Sequence, residues 1–122
     1  MAYVDGFLIP VRTEDRERYR AFAELGARIF RDHGALTVVE TWGAEVPEGE
    51  RTSMPRAVQL EEGETVVFSW VVWPSREVRE AAHGTVYEDP RWAEVGEPPI
   101  AGERLVYGSF DVLVAEGTWP GT

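Results

Sequence analysis

The run ETVVFSWVVWP, residues 64–74, constrains this chain more than any other segment. Its β-branched and aromatic residues suit an extended strand. Alternation puts Val67 and Val71 on one face and Phe68 and Trp70 on the other, so both faces are bulky and apolar. Such a strand must be covered on both sides and belongs in the middle of a sheet. The rest of the chain has to supply flanking strands and covering layers.

The remaining segments do so in a definite order. YVDGFLIPV (3–11) reads as a first strand closed by Pro10. TEDRERYRAFAELGARIFRDHG (13–34) then changes to helical period, with Tyr19, Phe22, Ala23, Gly26, Ile29 and Phe30 on one stripe. Thr13 is the expected N-cap, Glu14 and Asp15 suit the positive end of the helix dipole, and Gly34 fits a left-handed stop. ALTVVETWG (35–43) is a second strand, and AEVPEGERTSMPRA (44–57), with two prolines and a glycine, reads as a surface loop. After the central strand, Pro74-Ser75 caps a second helix that places Val78, Ala81, Ala82 and Val86 on one face. YEDPRWAEVGEPPIAGE (87–103) is irregular with one short helical turn, RLVYGSFDVLV (104–114) is the last strand, and AEGTWPGT (115–122) is a tail.

The order β-α-β-β-α-β is the ferredoxin-like split βαβ arrangement, an α+β fold. Its four strands form an antiparallel sheet in the order 4-1-3-2 with both helices on one face. With 122 residues there is one core, so a single domain is expected over 1–114. Strands one, three and four carry apolar groups on both faces, and two helices can cover only one. The uncovered face would be a patch that soluble monomers rarely tolerate. A second copy packed sheet to sheet removes it, giving a homodimeric α+β barrel.

Composition then excludes several functions. The 22 acidic residues against 12 basic ones, all arginine, give a net charge of −10, which repels nucleic-acid backbones and anionic membranes. The chain has no cysteine, hence no thiol nucleophile and no disulfide. MAYVDGFLIP is neither a basic leader nor a membrane span, so a cytoplasmic location is expected. His33 and His83 stand without metal-ligand spacing, and no phosphate loop or dinucleotide fingerprint occurs, so no cofactor is expected.

The segments YVDGF, VVETWG, VVFSW, EDPR and VYGSF, in this order and spacing, make the chain similar to the bacterial YbaA-like proteins, labelled domain of unknown function 1428. The resemblance spans nearly the whole chain and implies a small cytoplasmic protein with a dimeric α+β barrel fold. It implies no particular activity.

Chemistry must therefore be sought in residues that are out of place. Glu40, in VVETWG, shares a strand face with Leu36, Val38 and Trp42. A carboxylate in such company costs several kcal/mol unless it is paired, hydrogen-bonded or protonated, and a raised pKa suits a general acid or base. Asp5 stands similarly between Val4 and Phe7. In the expected strand order, Ser69 and Tyr107 come from neighbours of the first strand. Trp42, Trp70 and Trp73 would wall a barrel interior into which these polar groups converge, and Trp92 sits where a lid would.

Each feature also has a plainer reading. Glu40 could protect a sheet edge or pair with Arg56, with Arg104 or with an arginine across the dimer interface, and Asp5-Gly6 could mark a bulge. The chain accordingly reads as a structural or ligand-binding homodimer for a small apolar or aromatic molecule. The alternative is a cofactor-independent oxygenase or isomerase in which Glu40 or Asp5 takes a proton and Ser69 or Tyr107 orients the substrate. A cavity lined by Glu40 favours the enzyme, and a Glu40–arginine pair without a cavity favours the binding protein.

Overall fold

The computed structural model describes residues 2–119. Residues 120–122, the end of the expected tail, lie outside the described residues. The chain runs β1 (Tyr3–Arg12), α1 (Arg16–Asp32), β2 (Thr37–Glu40), α2 (Met54–Ala57), β3 (Glu64–Trp73), α3 (Arg76–Val86) and β4 (Val106–Asp111). Short 3₁₀ turns occupy Thr13–Asp15, Pro90–Glu94 and Gly102–Arg104. The four strands form one antiparallel sheet ordered β2-β3-β1-β4, which is the ferredoxin-like order expected from the sequence.

The doubly apolar run is indeed internal: β3 lies between β2 and β1. One of its faces packs under the long helices. Tyr19 and Ala23 of α1 meet Ile9, Val11 and Val67, and Ala82 of α3 meets Val71 and Trp73. On this face Trp73 is 2% exposed and Val67 is fully buried. The other face is left partly open. Leu8 is paired with Phe68 on one side and Val106 on the other, and Phe68, Val106 and Phe110 are 44%, 41% and 60% exposed. Gly6 and Gly108 face each other in the ladder, and the Phe110 ring lies across them, 3.1 Å from where a Cβ on Gly108 would stand.

Several boundaries differ from expectation, each for a local reason. α1 begins three residues after Thr13, which opens a 3₁₀ turn instead and donates its hydroxyl to the Gly63 carbonyl at 3.1 Å. Gly34 does take the left-handed stop, at φ +114°. β1 runs through Pro10 to Arg12 because β4 begins only opposite Leu8, so a residue without an N–H lies where one side of the strand has no ladder partner. The expected loop 44–57 contains the four-residue α2, capped by Ser53, which accepts from the Arg56 N–H at 3.1 Å, and carrying Pro55 in its first turn. α3 begins as expected, with Ser75 accepting from the Val78 N–H at 3.2 Å.

Arg104, beyond the irregular segment, ties it to the start of β3. Its guanidinium donates to both Glu64 oxygens, at 2.9 and 2.7 Å, and to the carbonyls of Val58 and Gln59. The fork-to-fork pair holds the Glu64 carboxyl below its usual range. No helix among the described residues is long and apolar enough to cross a membrane.

Candidate active site

Strand register places the candidate residues in two rows on the helix-facing side of the sheet. One row runs Glu40, Ser69, Phe7, Tyr107 across β2, β3, β1 and β4. The next runs Val38, Val71, Asp5, Ser109. The two carboxylates therefore point to the same layer but sit on strands separated by β3, and their surroundings differ completely.

Asp5 is 5% exposed and fully engaged. One oxygen accepts from Trp73 Nε1 at 3.0 Å and Arg79 Nε at 3.2 Å, and the other accepts from the Ser109 hydroxyl at 2.5 Å. Arg79 comes from α3, so the carboxylate joins that helix to β1, β3 and β4. No bulge is needed to explain it, since β1 pairs without a break from Tyr3 to Arg12. A carboxylate with a cation and two further donors has its lone pairs committed to structure.

Glu40 has none of that. Its Oε1 accepts from the Tyr19 hydroxyl at 2.6 Å, and among the described residues it forms no ion pair. Of the arginines that might have neutralised it, Arg56 reaches Glu48 and the Glu50 carbonyl, and Arg104 is taken by Glu64. Glu40 is solvent-exposed at the sheet edge, yet the protein packed around its carboxyl raises its pKa above the ordinary range, against the opposite pull of the Tyr19 hydrogen bond. Tyr19 is 4% exposed, and burial followed by the adjacent Glu40 charge pushes its phenol far above its normal value. Tyr19 is thus a permanent donor to Glu40.

This pair stands at the junction of two spaces. One is a half-open apolar pocket of about 140 Å³ between α1 and the sheet, lined by Phe7, Ser69, Phe22, Gly26 and Trp92 among others, with Glu40 and Tyr19 also in its lining. Outward lies an open cleft of about 360 Å³ between α1 and the edge strand, bounded by the same two residues with Arg16, Arg20 and Trp42. Ser69 is 3% exposed, and its hydroxyl makes no hydrogen bond to the described residues, which leaves it for whatever enters. An apolar cavity of about 150 Å³ holds a benzene ring, so the inner space suits one ring.

The irregular segment after α3 closes the far wall. The Trp92 ring packs on Phe22 and Phe30 with centroids 5.8 and 6.4 Å apart, and its Nε1 donates to the Val86 carbonyl at 2.8 Å. It reaches α1 because Gly26 has no side chain: a Cβ there would come within 3.2 Å of the indole. The turn is fastened by Asp89, which accepts from the Arg91 side chain and backbone and pairs with His33 at 3.1 Å, while Arg91 also reaches Asp32 at 2.7 Å. These contacts, led by the Arg91 guanidinium, hold the Asp89 carboxyl well below the usual range. Replacing Gly26 with valine should displace Trp92 and cost about 1–3 kcal/mol, as overpacking does. A red-shifted tryptophan emission with a lower Tm would register both effects, whereas an unchanged spectrum would mean that the indole does not rest on Gly26.

The expected convergence of the tryptophans needs correction. Trp70 lies on the opposite sheet face, its ring 5.2 Å from that of Phe68, because a strand alternates sides and Trp70 is one residue from Ser69. Trp73 is buried beside Asp5 rather than lining the cavity. The polar candidates lie between sheet and helices, not in a space between two sheets. Tyr107 is on the helix-facing side but 66% exposed, stacked behind Phe7 at 6.2 Å. Trp42, Ser69 and Trp92 do border the cleft or cavity. Tyr19 was legible only as a core position; the signal that it belongs to a site is that a buried tyrosine hydroxyl requires a partner. No cluster of three or more metal-ligating side chains occurs among the described residues.

The family described as Protein of unknown function (DUF1428) matches residues 2–102. The chain belongs to this family. Among curated relatives, the Uncharacterized protein YbaA of Escherichia coli K12 is 44% identical over 117 residues, covering 95% of this chain and all of the relative. The same fold occurs in solved structures of low sequence identity. A candidate antibiotic biosynthesis monooxygenase from Nitrosomonas europaea superposes with a TM-score of 0.57 at 14% identity, covering 95% of this chain and 94% of the other. SnoaB, a cofactor-independent oxygenase from Streptomyces nogalater, gives 0.54 at 13% identity, with 93% and 95% covered. At such identities the likeness extends to the fold of this DUF1428 chain and no further.

Proposed function

We propose that this protein is a cofactor-independent enzyme that binds a small aromatic or enolic compound and removes a proton from it with Glu40. The observation that carries this reading is a carboxylate with a raised pKa and no cation, set at the rim of an apolar cavity and held in place by a tyrosine hydroxyl. The substrate ring occupies the cavity against Phe7 and Trp92, and Ser69 offers a hydrogen bond to its oxygen. Glu40 takes the proton, and the electron pair left behind is delocalised into the ring or enolate. Returning the proton at another carbon is isomerisation, and reaction of the anion with dioxygen as co-substrate is oxygenation. Asp5 is assigned a structural role because three donors, one of them a cation, hold it and it does not line the cavity.

The test is deuterium incorporation from D₂O into a panel of one-ring phenols and enolisable ketones, followed by NMR. Accelerated exchange in the wild type that is lost in Glu40→Gln supports the proposal. Tight binding without exchange would instead return the protein to the ligand-carrier reading.

The working unit is proposed to be a cytoplasmic homodimer, with residues 1–114 as the folded domain and 115–122 as its tail. Support comes from the open sheet face, where Phe68 and Val106 flank Leu8 and Phe110 lies further along β4, all three exposed. Phe110→Glu should convert a species of twice the chain mass to a monomer in sedimentation velocity. A wild type that sediments as a monomer would remove this part of the proposal.

A further inference from the structure

The outer cleft carries a chemical asymmetry that the proton-transfer chemistry does not use. Along α1 its wall runs Arg16, Tyr19 and Arg20, Ala23 and Glu24, so it is basic at one end and acidic at the other. The eight helical steps from Arg16 to Glu24 span about 12 Å. At the basic end the Arg16 guanidinium lies over Trp42, 5.7 Å from the ring centroid. Arg16 forms no ion pair with any described carboxylate, although the chain carries a net charge of −10. Arg20, one turn on, has only a solvent-exposed contact to Glu17 at 3.4 Å. Such a contact is worth little.

An arginine left without a carboxylate in so acidic a protein, stacked on an aromatic wall beside the base, is a ready receptor for an anion. We infer that the natural substrate is a monocyclic aromatic or enolic carboxylate, its ring in the inner cavity and its carboxylate on Arg16 at the Trp42 end of the cleft. The inference rests on the site proposed above and adds the substrate's charge. Arg16 stands about one helical turn from Tyr19, so an anion held there lies at the same end of the cleft as the Tyr19–Glu40 pair. Arg20 adds positive field at the same end, and Glu24 disfavours binding in the reverse direction.

Benzoate and its neutral isostere benzamide test this directly. Their binding can be followed by the ¹⁵N-labelled indole resonances of Trp42 and Trp92 at neutral pH and low salt. Benzoate should bind about tenfold tighter than benzamide, the scale of one charge-assisted contact. Arg16→Gln should bring the two affinities together, and Arg16→Lys should restore only part of the preference because the planar stack is lost. Glu40→Gln should keep the preference for benzoate. Equal affinities in the wild type, a preference that survives Arg16→Gln, or no shift of Trp92 with either compound would overturn the inference. The outcomes separate from those of the exchange experiment. A charge preference without hydron exchange sinks only the catalytic role of Glu40, and exchange of neutral ketones without a charge preference sinks only the carboxylate.

Discussion

Glu40→Gln should lower proton exchange by about 10²–10⁴-fold, the usual contribution of a positioned general base, while the protein folds normally. Glutamine keeps an acceptor for the Tyr19 hydroxyl and removes only the charge. The same substitution should alter the pH dependence of stability with a definite sign. The folded-state pKa of Glu40 lies above its unfolded value of 4.5, since burial penalises the anion. Protonation is therefore favoured in the folded state, and its stabilising contribution is full below pH 4.5 and lost as the pH rises through the folded pKa. Glu40→Gln should flatten that decline and raise Tm at neutral pH. Carboxyl ¹³C titration reads the same quantity directly, and a Glu40 pKa at or below the ordinary value would show that the carboxylate is solvated or paired and not poised to accept a proton.

Asp5→Ala should be the most destabilising single change on the helix-facing side, at about 3–5 kcal/mol, the cost of removing one partner from a buried ion pair. It leaves the Arg79 guanidinium, whose side chain is 19% exposed, and the Trp73 indole N–H without their acceptor. In a chain of this size such a loss lowers Tm by about 10 °C or more. A double change, Asp5→Leu with Arg79→Met, should recover much of the loss by replacing the pair with apolar volume. Urea titrations of the singles and the double give the coupling. A cost below about 1 kcal/mol for Asp5→Ala would place the pair among surface ion pairs and reopen a chemical role for Asp5.

Apart from the glycine that follows Asp5, Glu40 and Asp5 look alike in the sequence: each is a lone carboxylate in an apolar strand. What separates them is which residues arrive from elsewhere in the chain. Arg79 comes from 74 residues away to one of them, and no arginine comes to the other. Local periodicity carries no information on such pairings. Trp70 shows the complementary failure, for a strand's alternation states that two residues share a face without stating which layer that face meets.

The sequence by itself determined the order of elements, the centrality of β3 and the strand order β2-β3-β1-β4. These follow from hydrophobic period, turn chemistry and the few ways a βαββαβ chain can pack. It also singled out Glu40 as a charge out of place. Only the tertiary structure decided that the helices cover the face bearing Glu40, that Tyr19 is its partner, and that Gly26 admits Trp92 to close a cavity beside it. These are contacts between residues distant in the chain, fixed by how side chains fill the space between one helix and the sheet, a property of packing and not of pattern.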